Sequence, residues 1–143
     1  MIINKLQITI IILSSIMISG CATNEKFVKI KANTINVKVA DTIPVQTRGL
    51  GGINFLADGQ GMLFVFPDYK IRSFWMKDML ISIDIIWINR ERIVGIEKNA
   101  PVAENKDLIN YYSPLPVNLV LEVPAGYCDR KKINIGDKIE YHL

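Results

Sequence analysis

The sequence predicts an all-β domain: a single compact jelly-roll-like sandwich or small barrel with one or two short helices. Three observations carry this. Short runs of alternating apolar and polar residues recur, as in Val28-Lys29-Ile30-Lys31 and Ile35-Asn36-Val37-Lys38-Val39, and period two marks a strand with one buried face. Clusters of Gly, Pro, Asn and Asp separate these runs at intervals of roughly 8–12 residues, the spacing of sandwiches and barrels. No long amphipathic helix is visible, which disfavours a parallel sheet of βαβ units, whose crossovers need helices.

Residues 1–20 stand apart from this domain. Met1 to Gly20 holds 12 apolar residues and one charge, Lys5. A basic start, an apolar run from Leu6 to Ile18 and the small pair Ser19-Gly20 form the layout of an export signal. The run is too short and too early for a membrane span. Ile18-Ser19-Gly20-Cys21 resembles the bacterial lipobox, in which the Cys thiol receives a diacylglycerol and the chain is cut just before it. Several acyl chains on Cys21 would give lasting attachment to a lipid bilayer, where one chain is marginal. Ala22 stands where an Asp would resemble an inner-membrane retention signal. The expected location is the bacterial cell envelope, on the outer membrane facing the periplasm where the cell has one.

Residues 21–26 read as a lipidated tether and residues 27–143 as the β domain. Val28 to Ala32 and Ile35 to Val39 are the first strands. Asp41-Thr42 with Pro44 starts a short helix over Thr42 to Arg48, since a capping side chain and a Pro in the first turn are start signals. Gly49 is placed to end it in the left-handed conformation. Asp58-Gly59-Gln60-Gly61 is a turn. Met62 to Phe66 is a strand stopped by Pro67-Asp68, and Ile71 to Lys77 is another. Ile81 to Ile88 is nearly all apolar, as in a strand buried on both faces. Asn89 to Arg92 is a hairpin loop into Ile93 to Glu97. Pro101 to Asn110 is polar and irregular. Val117 to Val123 alternates, with Leu119 and Leu121 facing inward. Tyr127 to Lys132 is one helical turn, and Lys138 to Leu143 a closing strand.

Composition limits the chemistry. The 143 residues suffice for one domain. A net charge of +3 without a long basic run argues against a nucleic-acid partner. Two Cys and one His leave no zinc site of those residues and at most one disulfide. No metal or other cofactor is implied. With Cys21 lipidated, Cys128 is the remaining thiol. It reads as a small half-buried side chain, and His142 as a surface residue on the closing strand.

Several segments now combine. They are Arg48-Gly49-Leu50, Gly61-Met62-Leu63-Phe64-Val65-Phe66, Phe74-Trp75-Met76-Lys77, Asp84-Ile85-Ile86, Tyr112-Ser113, Leu121-Glu122-Val123-Pro124-Ala125-Gly126 and Ile135-Gly136-Asp137. In order and spacing they resemble the uncharacterised bacterial and archaeal DUF192 family, over about residues 35–143. The chain departs from that pattern at Gly51, where Met is common, at Asp78-Met79 and Ser82, and at Pro101-Val102, where relatives carry Pro-Cys. The resemblance implies a jelly-roll-type β sandwich with a small helix, and no reaction.

The residues themselves nominate one cluster. Asp84 lies within an apolar strand and Glu122 between Leu121 and Val123. A buried carboxylate needs a partner or donors, or its pKa rises. Arg48 and Lys77 are the candidate partners, and Trp75 and Met76 a candidate apolar wall. Three readings follow: a structural polar cluster, a ligand pocket, or a catalytic acid/base pair of Asp84 and Glu122 served by Lys77 and Arg48. The expected function is a non-catalytic binding or structural module for an unknown small molecule or envelope ligand, with an envelope enzyme as the alternative.

Overall fold

A computed structural model describes residues 25–103 and 109–143. The expected signal segment, Cys21 and the tether up to residue 24 lie outside the described residues. Strands β1 (Phe27–Ile30) and β2 (Asn33–Ala40) form an antiparallel hairpin in the alternation the sequence shows. Helix α1 (Ile43–Arg48) follows, with Pro44 in its first turn. Then come β3 (Gln60–Lys70), β4 (Ser73–Trp75), β5 (Ile83–Asn89), β6 (Arg92–Ala100), β7 (Asn110–Tyr112), β8 (Val117–Pro124), α2 (Tyr127–Arg130) and β9 (Ile139–His142).

Seven strands make one sheet in the order β6-β5-β8-β3-β2-β1-β9, and β4 pairs with β7 in a small second sheet. The large sheet curls into a half-barrel. Its edge strands meet at one end through a bridge between Arg92 and Lys138, with Ile93 N donating to Asp137 O at 3.0 Å and Ile139 N to Glu91 O at 2.9 Å. Those contacts occupy edge groups that would otherwise be free to pair with another chain.

The curl gives the sheet two apolar faces. Val28, Ile35, Leu63, Ile86, Leu121 and Val123 fill the inner face together with Tyr127 and Cys128 of α2. Met62, Phe64, Ile85, Trp87 and Val120 form the outer face, covered by Leu50, Met76, Met79 and the β4–β7 sheet. β5 is therefore buried on both sides from Ile83 to Ile88, as its unbroken apolar run predicts.

Several boundaries differ from the sequence reading. β3 does not stop at Pro67 but runs to Lys70. The β3–β8 register slips between Val65 and Lys70, so the missing N–H of Pro67 falls where the ladder is already interrupted. It also begins at Gln60, inside the expected turn. The strand expected over Ile71 to Lys77 is only Ser73–Trp75. Its partner β7 starts at Asn110, the last residue of the stretch expected to be irregular, and continues to Tyr112. β2 and β3 pair in parallel, and their crossover is made by the short helix α1 and the loop after it rather than by a long helix. Gly49 has φ 53° and ψ −135°, which is not the left-handed helical region but one that essentially only glycine enters.

The β3–β8 contact is tight at Gly61, where an added Cβ would lie 2.6 Å from the backbone oxygen of Glu122. Backbone cannot move aside as a flexible side chain can. Gly61→Ala should therefore destabilise the domain by about 2 kcal/mol or more, within or above the usual range for overpacking. Urea unfolding of the two proteins checks this, and equal midpoints would show that the strands can separate without cost.

Candidate functional site

Strand parity decides where the two buried acids go. Asp84 stands opposite Val123, and Glu122 opposite Ile85, across the β5–β8 ladder. Directly opposed residues share a face and successive residues alternate. Asp84 therefore points into the half-barrel and Glu122 away from it. The expected Asp84/Glu122 acid/base pair does not form, because the sheet stands between them.

Asp84 is fully buried and fully served. Two residues of β6 oppose it, since the register passes from Ile83↔Ala100 to Ile85↔Glu97. That bulge holds Asn99 at φ 54°, a conformation Asn tolerates, and releases its N–H from the ladder. Asp84 Oδ1 accepts from Asn99 N at 2.9 Å and from Gly126 N at 3.0 Å, while Oδ2 accepts from Cys128 N at 2.9 Å. The partners are backbone donors, not Arg48 or Lys77. Charge-assisted bonds of this kind are the strong class, and here they tie β5, β6 and α2 together. Cys128 lies against this carboxylate. Burial pushes its thiol pKa well up, and the Asp84 charge adds to that, so it is a poor nucleophile. It is fully buried, not half-buried as expected. His142 is exposed on β9 and stacks on Phe27 with ring centroids 5.6 Å apart.

Glu122 is the opposite case. It is 4% exposed, and its Oε2 is buried with no hydrogen-bond partner among the described residues. Burial alone pushes its pKa up to about 8, so the carboxyl is mostly protonated at neutral pH. It lies at one side of a pocket of about 200 Å³ whose lining includes Arg48, Gly49, Phe64, Phe66, Phe74, Trp75 and Lys77. The exposed residues Arg48, Trp75 and Lys77 form the mouth. α1 is held over the pocket by Gln46, whose Nε2 donates to Ala40 O at 3.2 Å and Val65 O at 2.9 Å. Gly49 crosses close to the floor: a Cβ there would lie 3.4 Å from the Phe64 ring and 4.0 Å from Glu122 Oε2. The aromatic wall is braced by Phe74, whose ring meets Phe64 edge-on at 4.8 Å and Trp87 at 5.4 Å.

The structure thus brings four of the six nominated residues to one pocket: Arg48, Trp75, Lys77 and Glu122. Asp84 lies on the other face. Met76 is 2% exposed and packs into the outer core, so it backs the site without lining it. Phe64, Phe66, Phe74 and Gln46 were not anticipated. The alternation of Met62, Phe64 and Phe66 was a usable signal for the first two, once Met62 is known to oppose Glu122. Among the described residues no group of acidic, His or Cys side chains is arranged to hold a metal ion.

The model of the DUF192 family, described as an uncharacterized ACR, matches residues 26–141. The chain belongs to that family. Two solved structures share the fold. One is a protein of unknown function from Novosphingobium aromaticivorans DSM 12444, with 29% identity, 81% of this chain and 83% of that chain covered, and a TM-score of 0.72. The other is a candidate transcription regulator from Sinorhizobium meliloti 1021, with 29% identity, 82% and 92% covered, and a TM-score of 0.74. None of the curated proteins matches the chain.

Removing the charge of Asp84 tests its role. Asp84→Asn keeps the size but turns an amide donor toward backbone donors, and should cost roughly 3 kcal/mol, as for other buried charge-assisted bonds. Chemical denaturation checks this. Glu122 should make stability depend on pH. Between an unfolded pKa near 4.5 and a folded pKa of about 8, the native state holds a proton that the unfolded chain has released. Its contribution is complete below that window and lost as pH rises through it, by on the order of 5 kcal/mol in all. Glu122→Gln should remove this slope, so unfolding of both proteins across that window separates Glu122 from other titrating groups.

Proposed function

We propose that this DUF192 protein is an exported lipoprotein, held on the cell envelope through Cys21, whose β domain binds a small molecule without transforming it. The pocket beside Glu122 is the binding site. The observation that carries this reading is the buried, unpartnered Glu122 carboxyl lining an open pocket. A buried polar group without a partner costs free energy. The same sheet meets that cost for Asp84 with three backbone donors and leaves Glu122 Oε2 without any among the described residues. A ligand that hydrogen-bonds to Glu122 would supply the missing partner. Concave sites with apolar walls and few polar groups are the usual form of small-molecule sites.

The envelope location rests on the sequence of residues 1–21. The net charge of +3 and the lack of a long basic run speak against nucleic acid as the partner.

Two measurements test the parts separately. Full-length Cys21→Ser should leave the membrane fraction or remain unprocessed, while the wild type carries acyl mass on Cys21. Unchanged fractionation with no acyl mass in the wild type would overturn the anchor. A thermal-shift screen of small metabolites against the full chain in detergent should yield compounds that raise Tm in the wild type but not in Trp75→Ala. Trp75 is 48% exposed, so that variant should keep its fold. Compounds that stabilise both proteins equally would place binding elsewhere.

A further inference from the structure

The charges around the pocket are unevenly distributed. Its lining contains three titratable side chains, Arg48 from α1, Lys77 from the segment after β4, and Glu122 from β8. Among the described residues neither Arg48 nor Lys77 takes part in an ion pair. Nor does either cation lie within ion-pair distance of Glu122. Arg48, Trp75 and Lys77 also line an open groove outside the pocket, which puts them at its entrance; Asp78 lines that groove too, but not the pocket, and forms no ion pair among the described residues. At neutral pH the site therefore presents two unpaired positive charges, a neutral carboxylic acid and an aromatic wall.

Resting on the reading of this pocket as a binding site, we infer that its ligand is a small organic monoanion: a carboxylate on an apolar or aromatic body. The carboxylate is held by Arg48 and Lys77. The body lies against Phe64, Phe66, Phe74 and Trp75, and Glu122 donates a hydrogen bond to a ligand oxygen. Each part excludes an alternative. An amine would meet two cations and a neutral acid. A neutral polar ligand would leave both cations uncompensated and would wet the phenylalanine wall. A guanidinium fork and an ammonium both suit a carboxylate, and their bonds to it are charge-assisted. The pocket of about 200 Å³ is below the roughly 300–1,000 Å³ of sites for drug-sized ligands, so the body is one ring or a short chain.

The arrangement also gives the site a pH dependence. Protonated Glu122 is a donor; ionised Glu122 is an acceptor and a second negative charge beside the ligand. Binding should weaken as pH rises through about 8.

The test is calorimetric titration of the full chain in detergent with benzoate and phenylacetate, against benzamide, benzylamine and glucose. The carboxylates should bind, and benzamide at least about tenfold more weakly, the scale of a charge-assisted bond. Arg48→Ala and Lys77→Ala should each weaken the carboxylates by about tenfold or more and leave benzamide unchanged. Between about pH 6.5 and about pH 9.5 the wild type should lose about tenfold in affinity, and Glu122→Gln should not, although it keeps the same Arg48 and Lys77. Binding of benzylamine or glucose in preference to the carboxylates, lost in Trp75→Ala, would overturn the anion assignment and keep the pocket. Failure of every class to bind would overturn both.

Discussion

The backbone of β3 passes so close to that of β8 that a methyl group on Gly61 would meet the Glu122 carbonyl oxygen at 2.6 Å. This contact joins two halves of the sheet. On one side lie β2, β1 and β9, with the parallel β2–β3 pair at the seam; on the other lie β8, β5 and β6. The contact fixes the register that sets Met62 opposite Glu122. That register sends Met62, Phe64 and Glu122 to the outer face and Leu63, Leu121 and Val123 to the inner one. A slip of one residue would exchange the faces throughout. The glutamate would then enter a core made of Val, Ile and Leu. The pocket, its aromatic wall and the acid within it are consequences of one close strand pairing.

Two buried acids on adjacent strands show how far burial alone determines behaviour. Asp84 and Glu122 are almost equally hidden from water. Asp84 has a bulge, a turn and the first turn of α2 arranged around it, and each contributes an N–H. Glu122 has neighbouring rings and methionines. Without donors, burial pushes the Glu122 carboxyl toward its neutral form. Asp84 thus reads as a structural junction, and Glu122 as a group kept at a cost to stability. Such costs persist where the group has another use.

Much of this was legible in the sequence because it is local. Alternation located β1, β2 and β8, an unbroken apolar run located β5, and Pro44 with its preceding polar pair located α1. Arg48, Trp75, Lys77 and Glu122 were nominated together, and they share one pocket. What escaped was set by partners distant in sequence. β7 is three residues of mixed character whose strand form comes from pairing with β4. β3 continues past Pro67 because the ladder slips there. The grouping of Asp84 with Glu122 failed for a related reason. Each strand's two-residue period says which residues share a face, but the β5–β8 register relates the faces of the two strands. A lone acid in an apolar strand looks the same in sequence whether or not a bulge on the next strand will turn an N–H toward it.

The register also relates the pocket to the proposed anchor. Lys26 O accepts a hydrogen bond from Val37 N at 2.9 Å, so the chain enters β1 beside Val37. Val37 pairs with Gly61, and the next residue, Met62, pairs with Glu122. The incoming chain and Glu122 therefore lie at nearly the same level of the sheet, a few strands apart. In the anchored protein proposed above, the segment from Cys21 to Phe27 can span at most roughly 20 Å, at about 3.3–3.6 Å per extended residue. With such an anchor, that reach would hold the entry end of the sheet, and with it the pocket, near the membrane surface.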